Sequence, residues 1–114
     1  MSKREPRLLI EDILEAADKI KQYTVGFSFN DFIRDSKTID AVIRNFEIIG
    51  EAARRIPEDF KAKHTRIDWL RVIGFRNRVV HDYMGVDHKI VWTIIEKDLD
   101  TLVSDLRKIL KELK

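Results

Sequence analysis

The segment from Ser36 to Ile56 carries apolar residues every three or four positions, which is the spacing of an amphipathic helix. At about 100° per residue, these residues fall on two stripes of the helix surface. The larger stripe consists of Ile39, Val42, Phe46, Ile49 and Ala53, and the smaller one of Ala41, Ile48 and Ala52. A helix with two apolar stripes needs two packing partners. Pro57 ends the helix, because proline disfavours helical geometry in the residue before it.

A line of charged side chains runs between the two stripes. It consists of Asp40, Arg44, Glu47 and Glu51, which are spaced for ion pairs within the helix. One interpretation is a solvated helix face held by these ion pairs. The other is that the smaller stripe packs on a second subunit while the charged line borders a cleft. The pattern alone leaves both interpretations open.

The rest of the chain also has helical spacing, without the alternation of a strand. The other predicted helices run from Leu8 to about Tyr23, from Ser28 to Ile33, from Pro57 to His64 as a short helix or turn, from Trp69 to near Tyr83, and from Asp87 to the C-terminus. Three of these helices have a residue suited to capping at their N-terminus: Ser28, Asp68 and Asp87. We therefore predict an all-α fold, an antiparallel bundle of four to five helices.

Composition narrows the class of protein. A length of 114 residues suits one domain spanning residues 1–114, and 44% apolar with 37% charged residues favours a folded chain. The absence of cysteine excludes disulfides and thiolate metal sites, so the cytoplasm is the expected location. No apolar run reaches the roughly 20 residues that span a bilayer, and no secretion signal is evident. The net charge of +2 permits contact with phosphates, but only through a local site.

One segment, from Phe75 to Tyr83, combines groups that can carry chemistry. Arg76 stands five residues before His81, and Tyr83 follows that histidine by two. An Arg–His pair at this separation is expected about 0.3 times by chance, and the complete triplet about 0.005 times. The segment resembles the R-x4-H-x-Y signature of the HepT group in the HEPN superfamily, and residues 40–52 look like the second helix of that family. The alternative is an ordinary set of polar contacts near a helix end, where the dipole favours cations.

The residues of this segment suit RNA cleavage without a metal ion. That reaction needs a base for the 2′-OH proton, an acid for the leaving oxygen and a cation for the charge on the phosphorane. His81 can act as acid or base near neutrality, and Arg76 can hold a phosphate through two hydrogen bonds. Asn77 stands four residues before His81, where a helix would let it orient the imidazole. The predicted catalytic residues are therefore Arg76, Asn77 and His81, with no metal ion or cofactor.

The resemblance also implies a homodimer. On an ideal helix Arg76 and His81 lie about 140° apart, so that one helix alone presents an incomplete site. In the family, two copies of the motif face one cleft, where Arg and His from both chains meet one phosphate. The smaller apolar stripe is compatible with that arrangement.

The resemblance implies a partner and a means of control as well. The chain would be the toxin of a toxin–antitoxin pair, an endoribonuclease silenced by a minimal nucleotidyltransferase that transfers AMP to Tyr83. An attached AMP is bulky and anionic, so it would oppose the entry of RNA. The alternative function is that of a non-catalytic nucleotide-binding or scaffold subunit of a nucleotidyltransferase.

Overall fold

The computed structural model describes residues 5–81 and 85–113. Its elements in chain order are α1 (Pro6–Thr24), α2 (Phe29–Ile33), α3 (Ser36–Arg55), α4 (Glu58–Lys63), α5 (Trp69–Ile73), α6 (Phe75–Val79), β1 (Val80–His81), β2 (Gly85–Val86), α7 (His88–Thr93), a π-helical turn (Ile94–Asp98) and α8 (Leu99–Glu112). The predicted all-α class is confirmed, because the two strands form only a two-residue antiparallel pair. No helix among the described residues is long and apolar enough to cross a membrane.

Side-chain caps fix where several helices begin. The Ser28 hydroxyl accepts a hydrogen bond from the backbone N–H of Asp31, whose carboxylate accepts one from the N–H of Ser28. This reciprocal capping box begins α2, and the bond from the Ser28 backbone lowers the pKa of Asp31. Asp68 and Asp87 cap α5 and α7 by accepting from the backbone three residues later. All three caps predicted from the sequence are confirmed.

The larger stripe of α3 forms the centre of the hydrophobic core. Each of its five residues is at most 7% exposed, and they belong to one cluster with the buried faces of α1 and α8. Two ion pairs show the direction of α8 relative to α1: Lys21 with Asp100 at 2.6 Å and Arg107 with Asp18 at 3.7 Å. Since later residues of α1 meet earlier residues of α8, the two helices are antiparallel, as predicted.

The third long helix is shorter than the sequence predicts. Gly74 separates α5 from α6, and α6 ends at Val79 rather than near Tyr83. Val80 and His81 then pair with Val86 and Gly85. Gly85 has a φ of 76°, which only glycine adopts without strain, so the backbone can form this pairing. The prediction of one helix through Tyr83 was therefore wrong at its C-terminal end, and Tyr83 itself lies outside the described residues.

The last helix follows the predicted path but contains an irregular turn. Ile94 and Leu99 are both buried although they are five residues apart, one more than the usual helical spacing. The π-helical turn adds one residue between them, so that both still face the core. Asp98, at the end of that turn, lies at the edge of the core instead.

Candidate active site

The motif segment is anchored to α3 by an aromatic contact. Phe75, the first residue of α6, is 1% exposed, and its ring meets that of Phe46 edge to face at a centroid distance of 5.7 Å. This geometry is favoured between aromatic rings beyond the area they bury. The next two residues, Arg76 and Asn77, therefore follow a fixed point on the surface of α3.

Asn77 is exposed and lines a polar cleft between α6 and α3. The cleft has a volume of about 240 Å³ and is also lined by Glu47, Gly50, Glu51, Arg54 and Ile73. Its walls combine an amide, carboxylates and a guanidinium, so it offers both donors and acceptors of hydrogen bonds. The charged line of α3 thus borders a cleft beside the motif, as one of the two interpretations of the sequence expected.

Gly50 allows α5 to lie directly on α3. A Cβ atom built at this position would stand 3.0 Å from the backbone oxygen of Ile73. The close approach brings the end of α5, and with it the start of α6, against the middle of α3. The role of Gly50 was not predicted from the sequence, although a glycine within a long helix is a signal for close packing.

We expect Gly50→Ala to destabilise the fold by about 1 kcal/mol, because the new methyl group presses on backbone that cannot rotate away. Gly50→Val should cost more, since it adds bulk at the same point. The free energy of unfolding in urea measures both effects. A gain in stability from Gly50→Ala, as helix propensity alone would give, would show that α5 can move off α3 without cost.

The structure separates the predicted catalytic residues between two elements. Arg76 lies on α6 and His81 on β1, and for both residues it is the backbone that is described. The predicted helical relation between Asn77 and His81 was wrong, because the helix ends before His81. The angle of about 140° that related Arg76 to His81 on an ideal helix fails for the same reason. Asp82 and Tyr83 lie outside the described residues.

The charged line of α3 makes fewer ion pairs than its spacing predicts. Glu51 lies 3.7 Å from Arg54 and 3.8 Å from Arg55. Among the described residues, Asp40, Arg44 and Glu47 form no ion pair within 4.0 Å with one another. All four residues of the line are exposed, so the solvated face is confirmed, but the ion pairs expected among them are not found between these described residues. Arg44 and Glu47 are exposed charges beside a cleft.

The cleft beside Arg44 and Glu47 is a second one, and it lies between the first half of α1 and the second half of α3. It has a volume of about 330 Å³, and its lining residues are Leu9, Asp12, Arg44, Glu47, Ile48, Glu51, Ala52 and Arg55. Ala52, from the smaller stripe, is buried, whereas Ala41 and Ile48 are only partly buried. The smaller stripe is thus covered by α1 at one end and accessible at the other. Within residues 5–81 and 85–113, no group of three or more His, Asp or Glu side chains could hold a metal ion.

Comparisons with known proteins agree on one family. The family model described as "Ribonuclease HepT-like" matches residues 13–112. A protein of Thermococcus cleftensis named "Probable ribonuclease HepT" is 40% identical over 109 residues, which are 96% of this chain and 99% of that protein. A "Putative RNase" of Methanocaldococcus jannaschii is 37% identical over 106 residues, 93% of this chain and 97% of the relative. No solved structure is significantly similar to the chain.

Proposed function

Because the chain belongs to the HepT-like ribonuclease family, we propose that it is the toxin of a toxin–antitoxin pair and cuts RNA internally without a metal ion. The observation that carries the proposal is the Arg76, His81 and Tyr83 triplet of the sequence, together with a polar cleft lined by Asn77, the residue after Arg76. The cleft supplies the amide of Asn77 and the exposed charges of α3 next to the motif. We assign Arg76, Asn77 and His81 to catalysis and Tyr83 to modification.

In the proposed reaction, the 2′-oxygen of a ribose attacks the adjacent phosphorus. A neutral His81 takes the proton of the 2′-OH as the new O–P bond forms. The bond from phosphorus to the 5′-oxygen breaks, and a protonated His81 from the second subunit gives that oxygen its proton. Arg76 balances the charge on the phosphorane through paired hydrogen bonds. The products are a 2′,3′-cyclic phosphate and a free 5′-OH.

The proposed site is shared by two subunits, so the protein should be a homodimer. The accessible end of the smaller stripe on α3 supports this arrangement, since Ala41 and Ile48 are only partly buried and Ile48 borders the cleft between α1 and α3. We expect light scattering at micromolar concentration to give the mass of a dimer. Ile48→Asp should convert it to a monomer, because an unpaired charge in an apolar interface is costly. Val25→Asp, at a residue 77% exposed, serves as the control and should remain a dimer. A monomeric wild-type protein would contradict the shared site.

Control by a nucleotidyltransferase antitoxin is the second part of the proposal. We expect incubation of the wild-type chain with the antitoxin and ATP to add AMP to Tyr83, which brings negative charge and bulk to the RNA site. Tyr83→Phe keeps the ring but removes the acceptor oxygen, so the variant should gain no AMP mass. The chain has only one other tyrosine, Tyr23 on α1, and Tyr23→Phe is therefore the matched control. AMP added to Tyr83→Phe at the wild-type extent would place the modified residue elsewhere.

A digestion assay separates the nuclease from the alternative, a non-catalytic partner of a nucleotidyltransferase. The dimer is incubated with single-stranded RNA, and with DNA of the same sequence, in excess EDTA. A metal-independent nuclease that uses the 2′-OH cuts the RNA and leaves the DNA intact. An RNA that stays intact with or without added metal would favour the scaffold function. A neighbouring reading frame for a small nucleotidyltransferase would support the pairing but would not test cleavage.

A further inference from the structure

Arg71 and Asp98 form an ion pair that joins the segment before the motif to the last helix. The Arg71 guanidinium donates a hydrogen bond to the Asp98 carboxylate at 2.8 Å, across 27 residues of sequence. The Arg71 side chain is 46% exposed and that of Asp98 is 24% exposed, so only the carboxylate side of the pair is partly buried. The partial burial of Asp98 reduces the screening of the pair by solvent ions.

The π-helical turn is what places Asp98 beside Arg71. In a regular α-helix, the residue four positions after Ile94 would lie on the same buried face, and that residue is Asp98. Because of the π-helical turn, Leu99 takes the buried position instead and is 0% exposed. Asp98 lies at the edge of the core. Single π-helical turns within α-helices occur frequently at functional sites.

Arg71 lies on α5, which is held from several sides immediately before the motif. The backbone N–H of Arg71 donates to the capping carboxylate of Asp68 at 3.1 Å. The indole N–H of Trp69 donates to the backbone oxygen of His64 at 3.0 Å. The far end of α5 rests on Gly50 of α3. The bond to Asp98 adds the last helix to these supports, five residues before Arg76.

We propose that Asp98 is a positioning residue for the cleavage site, acting through Arg71 on the orientation of α5 and α6. The inference rests on the proposed function, since it concerns the geometry of the same site. Asp98 does not line the cleft beside Asn77. It borders a separate cleft of about 220 Å³, which Arg71 and Phe75 also line. Asp98 therefore influences the motif without forming part of the cleft that Asn77 lines.

The expected effect is a loss of turnover without a loss of RNA binding. Small misplacement of catalytic groups can lower a rate by up to about 100-fold. We expect Asp98→Ala to lower kcat for RNA cleavage about 10-fold, with KM changed less than about twofold, since misplacement falls on the reacting groups. Asp100→Ala is the matched control, because Asp100 stands two residues later and pairs with Lys21 of α1 rather than with α5. That control should keep the wild-type kcat.

A charge swap distinguishes positioning from a general loss of stability. The double variant Arg71→Asp with Asp98→Arg restores an ion pair with reversed polarity, and kcat should recover at least partly. Equal losses of kcat in the Asp98 and Asp100 variants would overturn the proposal, as would an unchanged kcat in Asp98→Ala.

A spectroscopic readout keeps the inference testable even if the wild-type chain cuts no RNA. The chain has three asparagines and one glutamine, so its side-chain amide signals are few enough to assign by substitution. The Asn77 amide signal should shift in Asp98→Ala and stay at its wild-type position in Asp100→Ala. An Asn77 signal that does not move in Asp98→Ala would overturn the positioning role. Absence of cleavage by the wild-type chain would instead count against the proposed function.

Discussion

We expect His81→Ala to abolish RNA cleavage while the helical content of the chain stays unchanged. The substitution removes the group that takes and gives protons, a contribution of about 10²- to 10⁴-fold in rate. If both subunits contribute a histidine to one cleft, the substitution removes both proton transfers. The cleavage rate should then fall below detection. The fold should survive, because α1, α3 and α8 supply most of the buried core and His81 lies on β1. Cleavage rate and circular dichroism together measure the two outcomes.

The other two histidines provide controls for this variant. His88 lies near Phe32 at a ring-centroid distance of 6.5 Å, and the ring of His64 is tilted against that of Phe60 at a centroid distance of 4.4 Å. Both are partly buried and make packing contacts, so His88→Gln and His64→Gln should lower stability modestly and leave the turnover number near that of the wild type. Wild-type cleavage by His81→Ala would rule out the role assigned to that residue.

Arg76→Lys should lower the cleavage rate on the order of 10²-fold, even though it keeps the positive charge. A guanidinium offers two parallel hydrogen bonds to a phosphate, whereas an ammonium is a point charge that cannot reproduce them. Loss of one donor to a developing oxyanion costs a similar factor in other enzymes. The measurement is kcat/KM on a defined single-stranded RNA. Arg55→Lys, at an exposed residue paired with Glu51, is the control and should be almost neutral. Near-normal activity of Arg76→Lys would show that charge alone suffices.

Periodicity predicted the long helices because their buried faces follow one rule along their length. The larger stripe of α3 is buried, as its periodicity predicted. The three capping residues stand at the helix starts that their side chains indicated. The π-helical turn was not predicted, since a spacing of five between Ile94 and Leu99 looks like ordinary variation within an apolar helix. The end of α6 was also missed. The helix ends there because β1 pairs with β2, and strands of two residues are too short for a sequence pattern to predict.

The candidate site divides in the same way. The resemblance to the R-x4-H-x-Y signature selected Arg76, His81 and Tyr83 from the sequence, and the spacing to His81 added Asn77. Their mutual geometry was predicted wrongly, because the prediction assumed one helix through Tyr83, whereas α6 ends at Val79. The cleft beside Asn77 depends on the close approach of Ile73 to Gly50, a contact between segments far apart in sequence.

The central claim is that this chain cuts RNA by attack of the 2′-oxygen, with His81 moving the protons. Mass spectrometry of the products formed in excess EDTA tests it most directly. The account predicts fragments that end in a 2′,3′-cyclic phosphate, matched by fragments with a free 5′-OH, and neither product from His81→Ala. Fragments that carry a 5′-phosphate and a 3′-OH, or cleavage that stops when EDTA is added, would contradict it.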